Sequence, residues 1–481
     1  MTTTPTQTEP KNRFDRFFEI SARGSTVGTE IRGGLVTFVA MAYIVILNPI
    51  ILSGSPDVEG NSLGFGAVAA MTSLTAGVMT ILFGIVARLP FAFAAGLGIN
   101  SFLAVAVVGQ VTWPEAMGLV LINGVLIVLL AATGLRRMIF DAVPVQLKIA
   151  ITVGIGLFIA FIGFVNGGFV TATGANSPPV GLGIEGSIAT VPALIFVLTT
   201  VLIGILLALR VKGAILIGLV AGTIAAVIVE ATMHLGPQFS DSGFNPAGWG
   251  LTVPQLPASL VSVPDFSLFG QVSFSFERIG ALGAIMLVFT LLFTNFFDAM
   301  GTFTGLSREA GLADAKGDFP RLRSALIVEG IGAVAGGLTS SSSNTVFIES
   351  GTGIGEGART GLANLVTGVL FLLAIFFTPL TAIVPSEVAS AALVVVGALM
   401  MAQIRHIDLT DIGALIPVFL TVTIMPLTYS IANGIGAGFI SWVVIRALSG
   451  KVKGISPLLW IVAAGFVIYF ARGPIEALLH G

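Results

Sequence analysis

The stretch NTVFIESGTGIGEG, Asn344 to Gly357, sets a β-prone run, a carboxylate and a glycine-broken segment side by side. It has the look of a phosphate-binding loop, but no Gly-Lys-Ser or Gly-Lys-Thr follows. The lysine that would reach the phosphates is missing. The meaning of the stretch therefore depends on its solvent. The 481 residues are 55% hydrophobic and 10% charged, with a mean hydropathy of +1.02. An ordinary soluble domain carries about 25% charged residues, and so few charges cannot cover a water-facing surface. Lipid must solvate most of this chain, which makes Glu349 a carboxylate at membrane depth.

Composition excludes several classes. Cysteine is absent, so there is no disulfide or thiolate chemistry. The net charge is -2 with no basic block, which argues against nucleic acid as a partner. The polar start MTTTPTQTEPKNRFDRFF has no apolar core of a signal peptide. His234, His406 and His480 show no metal spacing, and no cofactor is implied. No H-E-x-x-H, G-x-S-x-G or C-x-x-C occurs, which leaves a membrane-embedded enzyme as a distant alternative. The 60 glycines have no collagen period. In membrane helices they permit close backbone approach and breaks within the protein.

Apolar runs of spanning length fall at 33–53, 66–87, 115–133, 145–165, 188–209, 213–233, 279–303, 360–380, 385–403, 411–429 and 431–448, with a weaker one at 323–338. Two segments, 92–109 and 344–358, are short and glycine-broken, and a last run at 457–471 is short for a crossing. The loops 54–65, 166–187 and 234–276 contain no Lys or Arg. Lys11, Arg88, Arg136, Arg137, Arg210, Lys212, Arg308, Lys316 and Lys451 fall on the opposite side, so the N-terminus reads as cytoplasmic. Loop 234–276 divides the elements into seven and seven, and AAGLGI (94–99) matches ESGTGI (349–354), after the extended pieces FAFA and TVFI. An odd number reverses the second half, which predicts an inverted repeat with a site near the bilayer midplane.

Charges inside membrane helices mark pathways, pairs or proton relays. The run 281–307 holds one carboxylate, Asp298, about 30 Å of helix from Arg278 and about 15 Å from Arg308. The plainer role for Asp298 is a bond between helices. Glu349 could cap a short helix starting near Gly351, or could join that helix end in a polar concavity. Burial in low dielectric favours the neutral carboxyl and so allows proton uptake and release. Asn100 is either a site residue or a packing bond. Ser340 to Ser343 either line a pathway or form a turn. Glu356 pairs locally with Arg359 in this reading. Phe296, Phe297 and Phe347 lie beside the carboxylates in sequence, where an aromatic could stack on a flat ligand.

Four blocks carry a family resemblance: GTEIRGGLVTFVAMAYIVILNP (28–49), FAAGLGINSFLA (93–104), TNFFDAMGTFTGLSREAGL (294–312) and SSSSNTVFIESGTGIGEGARTG (340–361). They resemble the AzgA-like adenine/guanine/hypoxanthine permeases, a branch of the nucleobase:cation symporter-2 (nucleobase–ascorbate) transporters. The resemblance implies an all-α polytopic membrane protein of 14 transmembrane segments in a 7+7 inverted repeat, with segments 3 and 10 broken behind short β-strands. A core domain would comprise 33–133 and 279–380, and a gate domain 134–233 and 381–448. The cytoplasmic segment 1–32, the outer loop 234–278 and the C-terminal segment 449–481 complete the chain. The implied function is proton-coupled uptake of purine bases across the cytoplasmic membrane by elevator movement of the core, with dimerisation through the gate. Asp298 and Glu349 would contact the base, with at least one of them coupled to the proton. Asn100 falls on an Asn of segment 3 implicated in purine binding, and Thr302, Gly351, Phe297 and Phe347 are the further substrate-site candidates of this sequence. Asp298 and Thr302 replace the Glu and His of the uracil and xanthine branches, leaving room for a bicyclic base. A passive channel, or a carrier of xanthine or uracil, is the alternative.

Overall fold

The computed structural model describes residues 12–135, 142–174, 178–184, 186–240, 243–257, 259–313 and 319–471. Lys11, Arg136, Arg137, Lys316 and His480 lie outside them. The first half contains α1 (Arg13–Phe18), α2 (Val27–Met41), α3 (Ile44–Ser53), α4 (Phe65–Val86), β1 (Phe93–Ala95), α5 (Leu97–Phe102) and α6 (Trp113–Thr133). After it come α7 (Val145–Asn166), the hairpin β2 (Val170–Ala172) and β3 (Val180–Leu182), α8 (Val191–Ala208) and α9 (Ala214–Met233). A small outer hairpin, β4 (Phe239–Ser240) and β5 (Gly243–Phe244), leads on to the second half. This holds α10 (Gly280–Glu309), α11 (Leu322–Leu338), β6 (Asn344–Val346), α12 (Ser350–Gly355), α13 (Gly361–Ala374), α14 (Thr378–Thr381), α15 (Ser386–Met401), α16 (Ile412–Leu427), α17 (Ile431–Leu448) and α18 (Pro457–Phe470).

Ten helical stretches among the described residues are long and apolar enough to cross a membrane, and the protein is a multi-pass membrane protein. Apolar side chains such as Leu198, Ile224, Ile228 and Ile285 face outward, as lipid solvation requires. The run 279–303 continues as helix to Glu309. The run 360–380 breaks after Ala374 and restarts with Pro379 in the first turn of α14, where its missing N–H costs nothing. Helix α18 has 14 residues, or about 21 Å at 1.5 Å per residue, less than the hydrocarbon thickness of about 30 Å.

Helices sort by packing partner. α4 and α2 pack on α13, and α6 packs on α11; α7, α8 and α9 pack on α15, and α16 on α7 and α17. Glycines allow the closest of these approaches. A Cβ on Gly361 would stand 1.9 Å from the carbonyl oxygen of Gly84, so α4 and α13 touch through backbone.

At the centre, β1 and β6 pair antiparallel, with Phe93 opposite Val346 and Ala95 opposite Asn344. These strands start and end slightly away from FAFA and TVFI, because pairing, not propensity, sets their limits. A strand inside a membrane protein needs every backbone group satisfied. Here the pairing is extended by Gly96 N–H to Ser343 O (3.0 Å) and Phe347 N–H to Ala92 O (2.9 Å). On the free edge, the Thr80 hydroxyl accepts from Phe93 N–H at 2.9 Å and donates to its carbonyl at 3.1 Å. Ser350 Oγ takes the Ala92 N–H at 2.9 Å, and Asn364 donates to Phe91 O at 2.7 Å.

The outer loop is anchored on both groups of helices. Trp249 donates to Glu230 at 2.9 Å and the Gly250 N–H to Glu387 at 2.8 Å. Further on, Ser262 N–H reaches Phe376 O at 3.0 Å and Gly270 N–H reaches Leu338 O at 2.7 Å.

Candidate functional site

The two strands aim two short helices at one region. A single residue, Gly96, separates β1 from α5, whereas Phe347, Ile348 and Glu349 separate β6 from α12. The longer junction puts Glu349 at the cap position of α12, whose first residue, Ser350, lies one before the start expected from sequence. Its backbone oxygen accepts from Thr352 N–H at 2.9 Å and Thr352 Oγ1 at 2.7 Å. Its side chain does not cap the helix. The carboxylate instead accepts a hydrogen bond from the Tyr43 hydroxyl.

Tyr43 occupies a break in the first membrane span. The helical bonding of α2 gives way there to shorter links, Val45 N–H to Ala42 O and Ile46 N–H to Tyr43 O. That break turns a buried tyrosine toward Glu349.

A cavity of about 1020 Å³ opens between the two packing groups. From one group it is lined by Tyr43, Asp298, Thr302, Phe347 and Glu349, and from the other by Val145, Thr152, Leu207, Val396 and Met400. Asp298 and Glu349, far apart in sequence, thus share one cavity. Asp298 has two acidic neighbours, Glu349 and Glu329 of α11. Like charges in a low-dielectric region repel strongly, so a ligand N–H or a proton would relieve this cluster. The fully buried Glu30 differs, because it accepts the N–H groups of Arg359 (2.8 Å) and Thr360 (3.2 Å) at the start of α13, an ordinary capping task.

The other sequence candidates fall in several places. Asn100 is fully buried behind the cavity wall, donating to Asn48 Oδ1 at 2.6 Å. Asn48 in turn donates to Thr72 (2.7 Å) and to Ser341 O (3.0 Å), so Asn100 braces α5 against α3 and α4. Gly351 is outside the lining; a Cβ there would stand 2.8 Å from the Glu309 carboxylate. Phe296 is buried in the hydrophobic core, and the Phe297 side chain lies outside the described residues. Ser340 to Ser343 form a buried turn, with Ser340 and Ser342 at φ 53° and 69°. The local Glu356–Arg359 pair does not form. Glu356 instead meets Arg32 at 2.9 Å and Lys212, while Arg359 donates to the Ile354 and Ala358 carbonyls. The compact turn at 356–359 points the Arg359 side chain back along α12 and frees Glu356 for partners from other elements.

Sequence reasoning missed two residues. Tyr43 could have been found as one of only three tyrosines, placed inside a spanning run. Glu329 could have been found as a carboxylate inside the weak run 323–338. Among the described residues no group of three His, Asp or Glu is arranged to hold a metal.

Known proteins resemble this chain over nearly all of its length. The profile of the Permease family matches residues 28–436. The guanine/hypoxanthine permease PbuG of Bacillus subtilis is 37% identical over 460 residues, covering 94% of this chain and 98% of that one. The adenine permease AdeP of Escherichia coli is 35% identical, covering 96% and 97%. Among solved structures, the transmembrane domain of the cyanobacterial bicarbonate transporter BicA aligns with a TM-score of 0.57 at 16% identity, over 87% of this chain and 96% of that one. SLC26A9 aligns at 0.60 and 11%, over 92% and 67%. Both share the fold. With the profile covering most of its length and close relatives over nearly all of it, the chain belongs to the Permease family, on its AzgA-like purine-permease branch.

Proposed function

We propose that this protein carries purine nucleobases (adenine, guanine or hypoxanthine) across the cytoplasmic membrane together with protons. The observation that carries the reading is the pair Asp298 and Glu349 in one cavity between two helix groups. Carboxylates accept hydrogen bonds from the ring N–H and amino groups of a purine, and Thr302 and Phe347 offer a hydroxyl and an aromatic surface beside them. Two permeases similar in sequence are named for guanine and hypoxanthine and for adenine. The acidic cluster supports proton coupling, because a carboxyl that must be neutralised to be buried can take a proton from one side and release it on the other.

The packing groups support a core of 33–133 and 279–380 moving against a gate of 134–233 and 381–448. On this reading the two seven-segment halves are inverted repeats, the N-terminus is cytoplasmic and the cavity of this conformation opens inward. Asn100 and Gly351 serve the site from behind, by bracing α5 and admitting Glu309. Radiolabelled base uptake in a host lacking purine transport tests the proposal. Saturable uptake, competed by purines and abolished by a protonophore, is expected, with loss in Glu349→Ala and Asp298→Ala. Uptake that survives collapse of the proton gradient would sink the symport, and uptake unchanged in both variants would sink the site.

A further inference from the structure

The cavity, at about 1020 Å³, is larger than a base requires, and its lining holds cations as well as the two acids. One face of α10 presents Asp298, Gly301, Thr302, Gly305 and Arg308, a helical i, i+3, i+4, i+7, i+10 stripe, and all five line the cavity. A Cβ at Gly301 would meet nothing within 4 Å, and one at Gly305 only Ile348 Cδ1 at 3.8 Å. The floor between the acid and the arginine is therefore open. Ten residues of helix put their backbones about 15 Å apart, and a helical side chain leans toward the N-terminus, which brings the guanidinium back along that floor. Arg210, Lys148 and His406 line the same cavity as Arg308, each beside a run end that the charge bias assigns to one side of the membrane, and Lys212, also in the lining, is engaged with Glu356. The positive-inside rule accounts for cations on that side of the membrane. It does not account for Arg308, Arg210, Lys148 and Lys212 all lining the cavity that also holds Asp298 and Glu349.

A neutral base uses only the deep end. We infer that the cavity also binds a purine nucleoside monophosphate from the cytoplasmic side. The base lies against Asp298 and Glu349, the ribose crosses the floor at Gly301 and Gly305, and the phosphate sits among Arg308, Arg210 and Lys148. The arginine fork matches phosphate geometry and charge. A nucleotide so bound fills the path by which a base leaves, and inhibits transport from within. The inference rests on the reading of Asp298 and Glu349 as the base site.

The test is displacement of radiolabelled hypoxanthine, adenine or guanine from the purified full chain in detergent. The competitors are inosine monophosphate, adenosine monophosphate, inosine and inorganic phosphate. The expected result is displacement by a monophosphate at concentrations at least tenfold below those of inosine or phosphate. Arg210→Ala/Arg308→Ala should raise the monophosphate concentration required at least tenfold while base affinity stays within about twofold, and the corresponding double Lys variant should fall between. Retained base binding shows that the variants fold. Monophosphate no better than inosine, or displacement unchanged in the double Ala variant, would overturn the inference. If the wild type binds none of the three bases, the base-site reading fails instead. Direct binding of radiolabelled inosine monophosphate then decides the phosphate end: loss in Arg308→Ala supports it, and no binding by the wild type refutes it.

Discussion

Tyr43 holds Glu349 without touching it in sequence; 306 residues separate the two. A hydrogen bond to a charged group is worth about 1.5–3 kcal/mol. Tyr43→Phe is therefore expected to weaken base binding roughly 10- to 150-fold, as read by calorimetric titration of the purified protein, with folding intact because the ring remains. Unchanged affinity would show that Glu349 needs no positioning. A second residue-scale prediction concerns Glu19, outside the membrane spans. Burial pushes its carboxyl upward, but the ion pairs with Arg23 and Arg321 outweigh this and hold it below the ordinary glutamate value. A depressed folded value adds stability that is present above the unfolded value of 4.5 and is lost as pH falls through the folded one. Thermal unfolding of the wild type should thus lose a component below about pH 4.5 that Glu19→Gln lacks at every pH; parallel curves would refute this. Asp298 and Glu349 were legible in the sequence because a charge stands out against an apolar run. Tyr43 was not, since its hydroxyl gains meaning only from a partner brought in by folding.

Among the elements, the strand edge at Phe93 depends on one hydroxyl. Thr80→Val keeps the volume and removes both bonds, leaving a buried N–H and C=O without a partner. At about 1–3 kcal/mol for each such group, this substitution should lower the melting temperature clearly, and Thr80→Ser should restore most of it. A valine variant as stable as the wild type would show that another group satisfies Phe93. Gly361→Ala tests the packing of α4 on α13: a Cβ 1.9 Å from a backbone oxygen forces the helices apart, at a cost of about 1–3 kcal/mol or more. Thermal unfolding reads this directly, and an unchanged midpoint would contradict the contact. Glycine content and the two broken segments were readable from composition and helix-breaking residues. Strand limits and the three-residue junction before α12 were not, because pairing partners across the chain set them. The break at Ala42 and Tyr43 left no glycine or proline at the site to betray it.

At the scale of the molecule, each half of the chain completes the other. Charge placement and spanning runs made the membrane class legible, but hydropathy does not say which helix packs on which. The outer loop between the halves offers a test, since Leu256 in it is 78% exposed and the anchors on either side are held independently. Fragments ending and beginning after Leu256, when co-expressed, should copurify and restore base uptake, while either alone should fail to accumulate. Stable, separately purified halves would contradict this interdependence. The central sheet extends the point to biosynthesis. Ala95 pairs with Asn344, which the ribosome makes about 250 residues later, or roughly 12–50 s at 5–20 residues per second. Until then part of β1 has no strand partner, and lipid can offer its amides none. The nascent chain must keep that segment in the insertion machinery or in water while the rest is translated. The arrival of β6 at the translocon then sets the earliest moment at which the cavity beside the sheet can exist.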